Sequence, residues 1–284
     1  MNTPVFAGAL KVDMIKSAIN YHLCVLLISA GSACVSFAGD SILNVNFDSR
    51  NTGLYSDDMV HQDWGTVEWA SLQDRASIVR DADSAHGNVL KIAYPKGSVG
   101  PNEGGGQFVV SLPPSEEMWL SYYVKFDEGF DFRRGGKLPG LTSGGSRFTG
   151  GRIPEEGEGW SARLMWRENG DAFVYLYYVD MSGMWGDNLP LNRSFKPGTW
   201  HRITQRIKLN AGDDADGILD VWIDGEKALS RSDIRYRIGD KGIIDSMYFS
   251  TFHGGSTEDW APHVDSFAFF DHFVVSREPL IPER

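Results

Sequence analysis

The chain has 284 residues, 27 basic against 38 acidic, a formal net charge of −11 and only two cysteines. A surface this acidic argues against nucleic acid or an anionic membrane as partner, while leaving room for an anionic substrate in a locally basic groove. Both cysteines, Cys24 and Cys34, fall in the first 38 residues, so the remainder must be held together by its core alone.

That first stretch reads as an export signal rather than as part of a fold. Lys16 precedes an apolar run over residues 23–35, followed by Ser36-Phe37-Ala38 and Gly39. A positive start, an apolar segment too short to span a bilayer well, and a small-x-small site describe a signal peptide cleaved near Ala38. Met14 is a candidate true start. A lipoprotein site at Cys34 is disfavoured because Gly31 stands where such sites take Leu. Residues 39–284 are then one secreted or periplasmic domain, expected to be monomeric. Without Lys11, Asp13 and Lys16 its net charge is −12.

From residue 40 the pattern is short alternating runs between turns rich in Gly, Pro, Asn and Asp, with no long amphipathic helix. Strands are predicted over residues 42–47, 89–94, 107–112 and 118–126, then 200–209, 218–224, 245–253 and 266–276. Many short strands at this spacing argue for a sandwich or jelly roll rather than βαβ units. Gln107, after three glycines on an alternating strand, is a candidate binding residue or simply sits on a polar face. Residues 127–159 read as a long irregular stretch carrying Arg133, Arg134, Lys137, Arg147 and Arg152, and Arg147 is a candidate substrate contact.

Residues 159–180 read as a β-hairpin around Glu168-Asn169-Gly170. A three-residue loop with Gly170 in the left-handed conformation sets Arg167 opposite Asp171. It then pairs Arg163 with Tyr175 and Ser161 with Tyr177 on one face. The other face holds Ala162, Leu164, Val174 and Leu176. A two-residue turn would slip the register and mix polar with apolar faces. One side of the hairpin thus becomes a plane of phenol, guanidinium and hydroxyl groups. On the 200–209 strand, Arg202, Thr204, Arg206 and Lys208 share a face, either lining a groove through Arg206 or simply solvated.

Several other patterns are turns. Asp224-Gly225 joins two short strands, and Asp213-Asp214-Ala-Asp216 lacks the ligand order of a calcium loop, so ligand spacing implies no metal or other cofactor and metal dependence stays open. No nucleophile elbow, phosphate loop or zinc motif is present.

Gly136-Lys-Leu-Pro-Gly140, Trp160-Ser-Ala-Arg-Leu-Met-Trp166, Tyr175-Leu-Tyr177 and Phe252-His-Gly-Gly-Ser256 together resemble polysaccharide lyase family 14. The resemblance covers residues 106–275. It implies an all-β fold, a β-jelly-roll sandwich of two antiparallel sheets, and β-elimination on an acidic polysaccharide, with alginate first and glucuronan next. It also implies a catalytic role for Lys137, with Ser161, Arg163, Tyr175 and Tyr177 in the same site.

In such chemistry the proton on C5 is acidic only when the adjacent carboxylate is neutralised, a role suited to Arg163 with Ser161. Lys137, depressed by burial and by neighbouring Arg, could serve as base with Tyr175 or Tyr177 as acid, or the roles could be reversed. His253 could neutralise or donate nearby, although a packing histidine at a strand end is commoner. The competing class is a non-catalytic carbohydrate-binding jelly roll, in which the tyrosines stack sugar and Arg163 pairs with a carboxylate.

Overall fold

The computed structural model describes residues 41–81 and 86–280, so the predicted signal segment lies outside the described residues. The elements are β1 (Ser41–Val45), β2 (Gly53–Leu54), α1 (Asp57–Asp63), β3 (Val67–Ser71), β4 (Ala76–Arg80), β5 (Asn88–Tyr94), β6 (Gly106–Ser115), β7 (Glu117–Phe126) and β8 (Gly136–Ser143). They continue with β9 (Trp160–Trp166), β10 (Asp171–Tyr177), β11 (Asp187–Ser194), β12 (Trp200–Lys208), β13 (Gly217–Ile223), β14 (Glu226–Ile234), β15 (Ile244–Thr251) and β16 (Ser266–Ser276).

Two antiparallel sheets pack face to face as a jelly-roll sandwich. One runs β14-β13-β12-β7-β16-β5-β4-β2, with β1 also on β16; the other runs β11-β10-β9-β8-β15-β6-β3. Period-two alternation sends one row of each strand into a single core. From the second sheet come Phe108, Leu138, Leu141, Ala162, Leu164, Val174, Leu176, Met247 and Phe249; the first sheet supplies Tyr122, Val124, Ile203, Val221, Phe270 and Phe273.

A polar side chain crosses this core. Gln205 is fully buried; its Oε1 accepts from the Leu141 amide at 3.0 Å and its Nε2 donates to the Ala162 carbonyl at 2.8 Å. These two backbone groups sit on β8 and β9, where the β8 ladder slips by one residue between Lys137 and Gly140. The slip carries β8 past Pro139, which has no N–H to give.

The hairpin has the register that its alternation predicts: Tyr175 pairs with Arg163 and Tyr177 with Ser161. Its loop closes with Gly170 at φ +81° and Asn169 also left-handed at φ +61°, a conformation Asn tolerates better than most residues. Two readings are corrected. Residues 127–159 are not irregular throughout, because Gly136–Ser143 is a strand of the second sheet, paired with β9 and β15. Its glycines and proline hide it from propensity, yet the packing requires them. A Cβ at Gly136 would lie 2.0 Å from the Trp166 ring, and one at Gly140 would lie 2.2 Å from the Ala162 carbonyl oxygen.

Arg206 is the second correction. It lies on the first sheet, in ion pairs with Glu117 and Asp220 and against the Trp119 ring, and does not line the groove described below. The row it shares with Arg202 and Thr204 faces away from the core, because Ile203, Gln205 and Ile207 take the inward positions.

Replacing Gln205 by Leu would leave the Leu141 amide and Ala162 carbonyl buried without partners. We expect the urea midpoint to fall by the equivalent of about 3 kcal/mol at unchanged slope.

Candidate active site

The outer face of the second sheet carries a groove of about 810 Å³ that crosses it strand by strand. Trp69 on β3, Gln107 on β6, Tyr248 on β15, Lys137 on β8, Arg163 on β9, Tyr175 and Tyr177 on β10, and Asn188 on β11 form its floor. Loops add Arg152, Arg167, Trp185 and Trp260. Four lining residues are cations and none is a carboxylate, in a chain whose net charge is −11. None of the four cations takes part in a salt bridge among the described residues.

Arg163 is the deepest of them, 2% exposed. Its Nη1 donates to Ser250 Oγ at 3.0 Å, its guanidinium carbon lies 5.3 Å from the Tyr248 ring centre, and its buried Nε has no partner. A buried guanidinium without an anion costs several kcal/mol in desolvation that only a partner can offset. Burial accordingly pulls its pKa below the usual value.

Lys137 sits half-buried beside it. The Nζ lies 3.8 Å from the Tyr175 ring centre and 3.3 Å from Met165 Sδ. The ring face favours an ammonium by about 0.5–2 kcal/mol. Burial, followed by the Arg163 and Arg167 charges, acts the other way and prevails, holding the amine well below the ordinary lysine value.

Tyr175 moves in the opposite direction: burial first, and then its hydrogen bond to Tyr177, push its phenol up and keep it protonated. The two hydroxyls are 3.3 Å apart, and Tyr177 also accepts from the Gly151 amide at 3.1 Å. Lys137 and Tyr175 therefore form an amine inclined to be neutral beside a phenol held in its acid form.

The backbone under Lys137 is tied to the Phe252–Ser256 segment. The Lys137 amide donates to the Phe252 carbonyl at 2.9 Å, and the Gly254 amide to the Gly135 carbonyl at 2.9 Å. Two motifs more than a hundred residues apart thus make one corner, filled by Trp166, Phe126, Phe130 and Phe132.

Of the residues predicted from sequence, Lys137, Arg163, Tyr175, Tyr177 and Gln107 meet in the groove. Gln107 accepts a short hydrogen bond from the Tyr248 hydroxyl there. Ser161 does not line it: fully buried, it donates to the Phe148 carbonyl at 2.8 Å and so anchors the loop that carries Arg152 and Gly151. Arg147 is exposed with its guanidinium over Phe148, and Arg152, five residues on, lines the groove instead.

His253 lies outside the lining, stacked on Phe130, with Nε2 donating to the Asp131 carbonyl at 2.7 Å. Its buried Nδ1 has no partner. Arg167 and Tyr248 escaped the sequence reading, although alternation signals both. Arg167 continues the row of Ser161 and Arg163, and Tyr248 lies between Met247 and Phe249, which face the core. Asn188 had no such signal, because its strand is interrupted by Pro190.

Residues 82–273 match the family model described as Polysaccharide lyase 14. Among solved structures, alginate lyase Aly36B superposes with a TM-score of 0.72 at 30% identity, covering 85% of this chain and 98% of that one. The marine alginate lyase from Aplysia kurodai gives 0.71 at 23% identity, over 86% and 100% of the two chains. Alginate lyase vAL-1 from Chlorella virus gives 0.64 at 22%, over 80% and 100%. The last two likenesses are of fold. A comparison with curated protein sequences finds no match.

Burial lowers the pKa of His253 to about 4, against 6.5 for a free histidine. The unfolded chain therefore binds the extra proton between those values, and stability is lost as pH falls from about 6.5 to 4. We expect a loss of about 3 kcal/mol from this group, read as a pH-dependent urea midpoint whose slope flattens in His253→Gln.

Proposed function

The chain belongs to polysaccharide lyase family 14, and on that premise we propose that it cleaves alginate by β-elimination, with Lys137 as base and Tyr175 as acid. The observation that carries this reading is the groove with four unpaired cations, no carboxylate and a depressed amine against a protonated phenol.

A uronate carboxylate entering the groove meets Arg163, whose free Nε and buried charge favour an anion. Neutralising that carboxylate lowers the cost of charge building up on it as C5 loses its proton. Neutral Lys137 takes the proton; the electron pair forms the C4–C5 double bond and the C4–O4 bond breaks. Tyr175 gives its proton to the departing O4. Lys137 is then an ammonium facing a phenolate ring, and proton return from one to the other restores the starting state. Tyr177 orients Tyr175, and Ser161 acts by positioning the loop behind Tyr177. Base chemistry at Tyr175 would need a lowered phenol pKa, contrary to the direction found.

Alginate is favoured by the 30% identity with Aly36B over nearly all of that chain. Aly36B variants replacing a lysine and a tyrosine, or a lysine and a methionine, by alanine are described in complex with alginate tetrasaccharide and trisaccharide. That lysine and methionine are 28 residues apart, the separation of Lys137 and Met165 here, which are in contact. We also propose that the enzyme is exported, on the strength of the apolar run and small-x-small site of its first 38 residues.

Purified protein should produce the ultraviolet absorbance of unsaturated uronate ends from polymannuronate or polyguluronate, tested beside glucuronan. Lys137→Ala should lower turnover by about 10²–10⁴-fold with oligosaccharide binding largely kept. Binding without absorbance would make the protein a carbohydrate-binding module; chain cleavage without absorbance would make it a hydrolase. Because the reacting amine must be neutral, kcat/KM should rise with pH through an apparent pKa well below 10.5. A profile still rising at the ordinary lysine value would remove Lys137 as base.

A further inference from the structure

Phe270 and Phe273 on β16 both point into the core, yet two residues separate them. Alternation along a strand requires an odd number between side chains of like orientation. The strand meets this with an extra residue: its register against β7 shifts between Asp271 and Val274, and His272 adopts φ +49°. The bulge leaves Asp271 and His272 side by side, turned away from the core on the sheet opposite the groove.

A third ligand-type side chain reaches the same point from the segment before β5. His86 Nδ1 lies 2.9 Å from Asp271 Oδ2, and His272 Nδ1 lies 2.5 Å from that same oxygen. One ligand atom from each of the three side chains lies within 4.8 Å of the others. Asp271 is wholly buried, and its Oδ1 has no hydrogen-bond partner among the described residues. The imidazoles are held by aromatic packing. His86 stacks on Trp200 at 4.4 Å between ring centres, and both rings meet Tyr123 edge-on. Partial exposure of the two histidines, 14% and 35%, leaves an approach for water.

We propose that His86, Asp271 and His272 form a binding site for a first-row divalent transition ion, zinc being the case to test. The two Nδ1 atoms and a carboxylate oxygen would be its protein ligands, and water would complete the coordination. Two imidazole nitrogens with one carboxylate oxygen suit zinc and its neighbours, whereas calcium and magnesium take oxygen donors. Such an ion supplies the cation that the buried carboxylate faces. The rings must give up their Nδ1 protons to it, so binding competes with protons. Lying on the opposite sheet from Lys137 and Arg163, the ion ties β16 to the segment before β5 and takes no part in the reaction. Linear spacing conceals the set, because His86 is 185 residues from Asp271.

The test uses untagged full-length protein stripped with a chelator and titrated with zinc chloride by calorimetry, with metal quantified after dialysis. One zinc ion per chain should bind and raise the melting temperature. His86→Gln and His272→Gln should each weaken binding by at least about 100-fold, with exposed His61→Gln as an unchanged control. Stripping should leave any lyase activity in place.

If a variant fails to fold by circular dichroism, nitrogen-15 spectra of histidine-labelled wild type decide: zinc should move two Nδ1 resonances at one equivalent. Absence of stoichiometric binding, binding unaltered in both folded variants, or unmoved Nδ1 resonances would overturn the site.

Discussion

A guanidinium buried in the outer face of a sheet with no carboxylate beside it is the constraint from which the groove follows. Arg163 keeps a full charge at 2% exposure and spends one of its donors on Ser250. Most proteins remove such a cost with a neighbouring Asp or Glu. Here the surroundings are Tyr175, Tyr177 and Tyr248, which present polar edges without charge, together with three further cations along the groove. The missing charge must come from outside, and the proposed substrate, with a carboxylate on every sugar, would supply it repeatedly. The same missing carboxylate bears on the proposed chemistry, since any acidic neighbour would raise the pKa of Lys137 and weaken it as a base.

The scaffold reaches this arrangement by local concessions in its backbone. The slip of β8 at Leu138-Pro139 lets Lys137 face the groove opposite Met165 while Gly140 passes Arg163 with no Cβ between them. Gly136 gives way to Trp166, whose ring anchors an aromatic corner under the lysine. Gln205 ties the opposite sheet to the backbone of β8 and β9 at the same level, and so limits how far these two strands can move apart. Such ties hold the Lys137 amine in place against the Tyr175 ring, 3.8 Å from its centre.

Legibility in the sequence followed how local each signal was. The hairpin was readable to the residue because only one loop length separates Arg163 and Tyr175 from Leu164 and Val174, and the structure has that register. The jelly roll was readable from strand spacing and from the motifs. The strand carrying Lys137 was not, because its glycines and proline serve contacts with Trp166 and Ala162 that no propensity encodes. Arg206 was ambiguous since alternation gives two faces without saying which sheet a strand joins. Arg147 and Arg152 differ only in how their loop folds back, which depends on the Ser161–Phe148 and Gly151–Tyr177 hydrogen bonds. The pairing of Asp271 with His86 needed a bulge inside a strand that otherwise reads as continuous.

The uncompensated basic groove holds the Lys137 amine well below the ordinary lysine pKa. Carbon-13 labelling of the lysine Cε positions, with the Lys137 signal assigned by its loss in Lys137→Arg, allows that amine to be titrated directly. It should lose its proton well below the ordinary lysine value, and Arg163→Met should bring its pKa back towards that value. A Lys137 signal that titrates at the ordinary lysine value of 10.5 would mean that the groove does not depress it.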